Sequence, residues 1–144
     1  MVIVLLAVLS AVAVPRLAGR SAFESRAFAD EVASAVRYAQ RTAIAMRRNV
    51  TVVVATPGRD NPCALRLCIT ADCSQQVVNP ATSQGFCLVP PPSVALATDG
   101  ATRTGLQFDA SGRPSGAQTY TVSSTGAGVD ARTLTVEAET GHVR

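Results

Sequence analysis

The chain lacks several residue types and motifs on which enzyme active sites depend. Its 144 residues include no lysine, no tryptophan and a single histidine, His142. There is no G-x-S-x-G nucleophile elbow, phosphate-binding loop or metal-ligand spacing. The aspartates at 60, 72, 99 and 109 lie near Gly, Pro, Asn or Ser and are better explained as turn formers. We therefore expect neither enzymatic activity nor a cofactor.

Arginine alone supplies the basic charge. The 13 basic residues are all arginines and stand against 10 acidic residues. Arginine presents a planar fork of donors that suits phosphate and carboxylate, so this composition is compatible with a polyanionic partner. Arginine-biased codon usage is the simpler explanation of this composition.

Only two tyrosines and four phenylalanines are present, which offers little surface for stacking bases. A nucleic acid would be held through its phosphate backbone.

Residues 1–14 carry no charge and precede Pro15 and Arg16. A helix of this length reaches roughly 21 Å, whereas the hydrocarbon core of a bilayer is about 30 Å thick. A secretory signal would begin with a basic region, which is missing here. We therefore expect a transmembrane helix whose beginning is absent, with the true start codon upstream of Met1. A genuinely shortened protein is the alternative.

Four cysteines, Cys63, Cys68, Cys73 and Cys87, fall in one window of the chain. An even, clustered number favours two disulfides in an exported domain, whereas a zinc site would favour Cys-x-x-Cys spacing, which is missing. Three connectivities are possible. We favour Cys63 with Cys68 and Cys73 with Cys87, because the second bond would close the loop at 77–86 and limit its entropy.

Segment 21–48 has the periodicity of an amphipathic helix. Its apolar residues fall within a stripe roughly 100° wide, with charged residues opposite, and Phe23 and Ile44 lie off the stripe. The charged side is either a solvated face or a contact for an acidic partner. The stripe contains Phe28, Val32, Ala35, Val36, Ala39, Ala43 and Met46, and the opposite side contains Arg26, Asp30, Arg37, Arg41 and Arg48.

After Asn49 the pattern changes to short β-branched runs separated by Gly, Pro and Asp. Alternating apolar and polar residues predict a half-buried antiparallel sheet. The long helix then has a sheet face to cover, so the predicted fold class is α+β, with a long N-terminal helix packed on an antiparallel β-sheet head. The predicted strands are 49–56, 64–70, 93–98, 105–109, 118–124 and 132–138.

Three local features together resemble the type II secretion pseudopilin H and FimT group of type IV pilin-like minor subunits. The first is AVRYAQRTAIAMRRNVTVVV at 35–54, where a helix rich in Ala and Arg runs directly into a strand. The second is the F-x-x-x-G turn from Phe108 to Gly112. The third is the ending ETGHVR at 139–144, which is similar to the group's terminal glycine-arginine motif.

This resemblance implies a pilin-like subunit with no enzymatic role. Residues 1–20 would be the truncated membrane and assembly part of the stalk helix, 21–48 its amphipathic half, and 49–144 the head with a cysteine loop at 63–87. Partners would be other pilin or pseudopilin subunits, the inner-membrane assembly platform and, before assembly, the lipid bilayer. The protein would span the bacterial inner membrane once, with its head in the periplasm or at the filament surface. Close stalk packing would use Ala7, Ser10, Ala11, Ala13 and the helix-bending Pro15.

The same resemblance implies an alternative function, a pilus-borne DNA receptor of the FimT kind. Gly141 and Arg144 match the terminal motif, whereas His142 stands where the group has arginine. Because histidine is largely neutral at pH 7, the substitution weakens a phosphate contact. A frayed end of the last strand is the competing interpretation of these residues. The other candidate DNA-binding residues are Arg113, Arg37, Arg41 and Arg48.

Overall fold

The computed structural model describes residues 2–99, 105–124 and 129–144, and over 2–20 it describes the backbone. Within these described residues, one long helix is followed by seven strands. This arrangement confirms the predicted α+β class. In chain order the elements are α1 (Val2–Met46), β1 (Val50–Val54), β2 (Leu65–Cys68), β3 (Cys87–Leu88), β4 (Val94–Asp99), β5 (Leu106–Phe108), β6 (Gln118–Ser124) and β7 (Arg132–Val136).

The second half of α1 supplies one wall of the hydrophobic core. The predicted stripe from Phe28 to Ala43 is buried, and Phe23 and Ile44, which lie off the stripe, are exposed. Met46 was assigned to the stripe wrongly, because it is 42% exposed. It is the last helical residue, and the chain turns at Arg47, whose φ is 50°. The helix therefore ends at the residue where Met46 would have continued the buried stripe, and its side chain stays partly in solvent.

The described residues of the head form two antiparallel sheets rather than one continuous sheet. The first has the strand order β3-β2-β1-β5, and the second has the order β4-β6-β7. The prolines at 90–92 separate β3 from β4. Proline has no backbone N–H to donate and fixes its own φ, so this segment cannot continue the first ladder. Strand β3 is too short, at two residues, to show an alternating pattern in the sequence.

All four cysteines are in disulfides, but the favoured pairing was wrong. The bonds are Cys63–Cys87 and Cys68–Cys73, with Cα–Cα distances of 5.3 and 4.9 Å. The antiparallel pairing of β2 with β3 brings Cys87 beside the chain that enters β2. Cys73 lies across a tight turn from the end of β2, where its own N–H donates to the carbonyl of Thr70. Strand pairing, and not loop length, decides the connectivity.

Candidate functional site

The stalk residues that the sequence assigns to assembly lie on the N-terminal part of α1. The helix is 45 residues long and continues through Pro15. Roughly 39 Å of helix precedes Phe28, the first large residue of the described core. Within the described residues, no helical stretch is both long and apolar enough to cross a membrane. The predicted packing residues on this part of the backbone are Ala7, Ser10, Ala11, Ala13 and Pro15.

The last residues form an ordered hairpin with β7. The N–H of Thr135 donates to the carbonyl of Arg144 at 2.8 Å, and the N–H of Arg144 donates to the carbonyl of Thr135 at 3.0 Å. The N–H of Glu137 donates to the carbonyl of His142 at 3.0 Å, and Val143 is 3% exposed. We call residues 137–144 the C-terminal hairpin. The alternative of a frayed strand end is wrong, because the backbone is paired in both directions.

Gln40 joins this hairpin and the F-x-x-x-G turn to the helix. Its Nε2 donates to the carbonyls of Gly112 and Thr140, each at 2.9 Å. Gly112 and Gly141 have φ angles of +82° and +69°, a region that favours glycine. A Cβ on Gly112 would lie 2.6 Å from Ile44 Cδ1, and a Cβ on Gly141 would lie 2.6 Å from Gln40 Nε2. Both glycines permit close approach of a turn to α1.

The carboxylate of Asp109 organises the F-x-x-x-G turn. Its Oδ1 accepts hydrogen bonds from the Ser111 hydroxyl at 2.6 Å, the Ser111 N–H at 2.8 Å and the Arg113 N–H at 2.9 Å. The Ser111 hydroxyl, followed by the Arg113 N–H, lowers the pKa of Asp109 below its ordinary value. The carboxylate is therefore engaged in turn structure, as the sequence predicted for this aspartate.

Three candidate DNA-binding arginines make contacts within the head. Arg37 Nη2 donates to the carbonyl of Val143 at 3.1 Å. Arg144 Nη1 lies 3.2 Å from Glu137 Oε1, and Arg113 forms an ion pair with Glu139. The acidic partners belong to the C-terminal hairpin, beside the glycine-arginine motif. They offset the positive charge that this surface would otherwise present to a phosphate.

The remaining candidates lie at different places on the surface. Arg41 lines a groove between α1 and the cysteine loop, together with Val78 and Met46. Arg48 is exposed just after the end of α1, and His142 is exposed on the C-terminal hairpin. The structure therefore brings Arg37, Arg113, Arg144, His142 and Gly141 to the region of the hairpin, and it places Arg41 beside the cysteine loop.

Sequence reasoning missed two residues of α1 that hold parts of the head on the helix, Gln40 at the C-terminal hairpin and Tyr38 at the cysteine loop. Gln40 is a polar residue four positions after the buried Val36, so it lies at the edge of the apolar stripe. Tyr38 donates its hydroxyl to the carbonyl of Val78 at 3.1 Å and stacks on Phe86. In the sequence, each of the two residues is visible as a polar or amphipathic side chain beside the buried stripe of α1, and that position was the available indication of a contact.

Within the ranges that the structure describes, no three His, Cys, Asp or Glu side chains come together in a metal-binding arrangement. The organised polar contacts instead join α1, the F-x-x-x-G turn and the C-terminal hairpin. These contacts hold the F-x-x-x-G turn and the C-terminal hairpin against α1.

A long helix that packs on antiparallel sheets is the fold of pilins and pseudopilins, and solved structures share it. The type IV minor pilin FimU of Pseudomonas aeruginosa (strain PAO1) matches with a TM-score of 0.63 at 18% identity, covering 84% of this chain and 87% of that chain. The minor pseudopilin EpsH from the Type 2 Secretion System of Vibrio cholerae matches with a TM-score of 0.63 at 18% identity, covering 84% of this chain and 94% of that chain. These likenesses show the fold.

The family follows from the sequence itself. The model of the type II transport protein GspH family matches residues 29–140, which is most of the chain. The chain therefore belongs to the GspH family of pseudopilins and minor pilins, and the predicted resemblance is confirmed. A search of curated protein sequences finds no significant match.

Proposed function

We propose that this protein is a minor subunit of a type II secretion pseudopilus or a type IV pilus, with a structural and assembly role. The observation that carries the proposal is the long helix α1, which supplies one wall of the core of the head and extends roughly 39 Å before Phe28. An extended helix of this kind can be covered laterally by the helices of neighbouring subunits. Membership of the GspH family supports the same role.

The partners of this proposed role are other pilin or pseudopilin subunits, the inner-membrane assembly platform and, before assembly, the lipid bilayer. The protein would be anchored in the bacterial inner membrane by a single pass, with its head in the periplasm or at the filament surface. Small residues on the N-terminal half of α1 would let neighbouring helices approach closely. Ala7 and Ala11 are spaced four apart, so they share one side of the helix.

Placing a charge on the stalk tests this proposal. In native cells that carry a tagged chromosomal copy, Ala11→Arg should strongly reduce co-purification with other pilin-like subunits. The reason is that an arginine in an apolar helix costs about 3 kcal/mol in membrane insertion and also obstructs close packing. The measurement is the amount of pilin-like subunits recovered per tagged protein from crosslinked membranes.

The matched control is Ala117→Arg, which makes the same change at an exposed position in the head. It should leave recovery of the other subunits at the wild-type level. A wild-type protein that recovers no pilin-like subunit from crosslinked membranes would contradict the proposal. So would an Ala11→Arg variant that recovers as much as wild type.

DNA binding is the second candidate function. The observation in its favour is that Arg41 and Arg48 are exposed and form no ion pair with the other described residues. The observation against strong binding is that Glu137 and Glu139 pair with Arg144 and Arg113. If DNA binds, it should bind weakly, without sequence preference, and with an affinity that falls steeply with salt.

Removing the acidic partners tests whether the hairpin surface contacts DNA. The double variant Glu137→Gln and Glu139→Gln should raise the affinity for duplex DNA, because two negative charges near the phosphates disappear. Arg144→Ala should weaken binding on all sequences and lower the salt slope by roughly one unit. His142→Arg should tighten binding. Titrations at low ionic strength that show no binding by the double variant or by His142→Arg would rule out this candidate.

A further inference from the structure

A groove lies between the last turns of α1 and the cysteine loop, and we call it the Arg41 groove. Its volume of about 580 Å³ falls within the range of roughly 300–1,000 Å³ that is typical of clefts for one small molecule. Among the described residues that line it, Arg41 is the one charged side chain. The apolar walls include Met46 on the helix and Ile69 and Val78 on the loop.

The loop wall of the Arg41 groove is fixed by contacts within the head. The N–H of Val77 donates to a carbonyl of β2 at 2.8 Å, and the disulfide between Cys68 and Cys73 closes the turn that leads to this segment. Tyr38 fastens the loop to α1, because its hydroxyl donates to the Val78 carbonyl at 3.1 Å. A wall that is already in place lowers the entropy cost of binding a ligand against it.

Apolar surface in the Arg41 groove faces solvent. Met46 is 42% exposed and Val78 is 57% exposed, whereas the stripe of α1 that precedes Met46 is buried in the core. Removing apolar surface from water is favourable. A methionine side chain is also flexible enough to adapt to the shape of a ligand. The walls therefore favour a ligand with an apolar chain that covers these two residues.

Arg41 gives the groove its charge. Its side chain is exposed and forms no ion pair with another described residue. The carboxylate of Asp72, on the same loop, does not line the groove and accepts hydrogen bonds from the N–H and the hydroxyl of Ser74. An arginine presents two parallel N–H donors that match the two oxygens of a carboxylate. The groove therefore suits an anionic head that is joined to an apolar chain.

We propose that the Arg41 groove binds a long-chain carboxylate of the fatty acid type. The carboxylate accepts hydrogen bonds from the Arg41 guanidinium, and the chain covers Met46 and Val78. Duplex DNA would meet the charge of Arg41 but has no apolar chain to cover these walls. Arg41 lies roughly 40 Å of helix beyond Val14, the end of the uncharged segment. The ligand is therefore a free single-chain molecule and not a lipid of the bilayer that would hold the stalk.

Photolabelling of the full chain in digitonin tests the proposal. A laurate with a diazirine on its chain is irradiated with the protein, and mass spectrometry of a digest locates the adducts. Adducts should map to Met46, Val78 and their neighbours, and their yield should saturate as the probe concentration rises. Excess unlabelled laurate should lower that yield by roughly tenfold or more, whereas dodecanol, which has the same chain without the charge, should lower it by less than about twofold.

Substitutions at exposed positions separate the charge from the apolar walls. At low probe concentration, Arg41→Gln should reduce the adduct yield by roughly tenfold, because a hydrogen bond between charged groups is lost. Arg59→Gln, on an exposed loop after β1, is the matched control and should label as wild type does. Val78→Glu should also reduce labelling by roughly tenfold, since it places a negative charge beside the carboxylate. Its control is Val89→Glu, because both valines are 57% exposed.

Three results would overturn the proposal. In the first, the groove shows no saturable labelling, or its labelling does not respond to Arg41→Gln, which leaves the surface to a second copy or a peptide. In the second, dodecanol competes as well as laurate, so the charge of Arg41 plays no part. In the third, phosphatidylglycerol that carries the diazirine labels the groove as strongly as laurate does, which assigns the groove to lipid headgroups. None of these results bears on the dependence of co-purification on Ala11.

Discussion

Replacing Phe108 by alanine should lower the free energy of unfolding by about 4 kcal/mol, the usual cost of truncating a buried phenylalanine. Phe108 is 0% exposed and pairs with Val50 in the first sheet. It also lies beside Gly141, where an added Cβ would be 3.0 Å from its Cε1. Truncation therefore leaves a cavity where the first sheet, the F-x-x-x-G turn and the C-terminal hairpin meet. Urea unfolding of the full chain in detergent measures the loss.

Phe23→Ala is the matched control for this experiment. Phe23 lies on the same helix as the core residues but is 74% exposed, so its truncation should change the free energy of unfolding by less than about 0.5 kcal/mol. Equal losses for the two variants would contradict the assignment of Phe108 to the core. A stable Phe23→Ala protein that recovers fewer pilin-like subunits would identify Phe23 as part of an assembly contact.

Removing the Cys63–Cys87 disulfide should cost more stability than removing the Cys68–Cys73 disulfide. The first closes a sequence separation of 24 residues and the second a separation of 5. The chain-entropy relation then gives about 3.5 kcal/mol for the first bond and about 2 kcal/mol for the second. Paired serine substitutions, Cys63→Ser with Cys87→Ser and Cys68→Ser with Cys73→Ser, measured by urea unfolding, provide the comparison.

Each pair of substitutions serves as the control for the other, since both remove one disulfide and leave the second in place. Mass spectrometry of a non-reduced digest should find one peptide pair linked through Cys63 and Cys87. A link between Cys63 and Cys68 would contradict the structure, as would a larger stability loss for the Cys68 and Cys73 pair. Free thiols in the unfolded, non-reduced wild-type protein would contradict both bonds.

The sequence by itself determined the elements whose signals are local. A period of 3.6 residues marked the buried side of α1, and alternation with β-branched residues located six of the strands. Phe23 and Ile44 fell off the stripe in the same pattern, and the structure leaves both exposed. The F-x-x-x-G turn and the glycine near the end of the chain were visible as short motifs, and these supported the family assignment that the GspH match confirms.

Only the tertiary structure decided which distant parts of the chain meet. Gln40 reaches the carbonyls of Gly112 and Thr140 across 72 and 100 residues, and Arg37 reaches that of Val143 across 106. The disulfide pairing follows from the register of β2 with β3, and the division into two sheets follows from which edge each strand joins. Such choices depend on loop closure and on packing between elements, so no local periodicity encodes them.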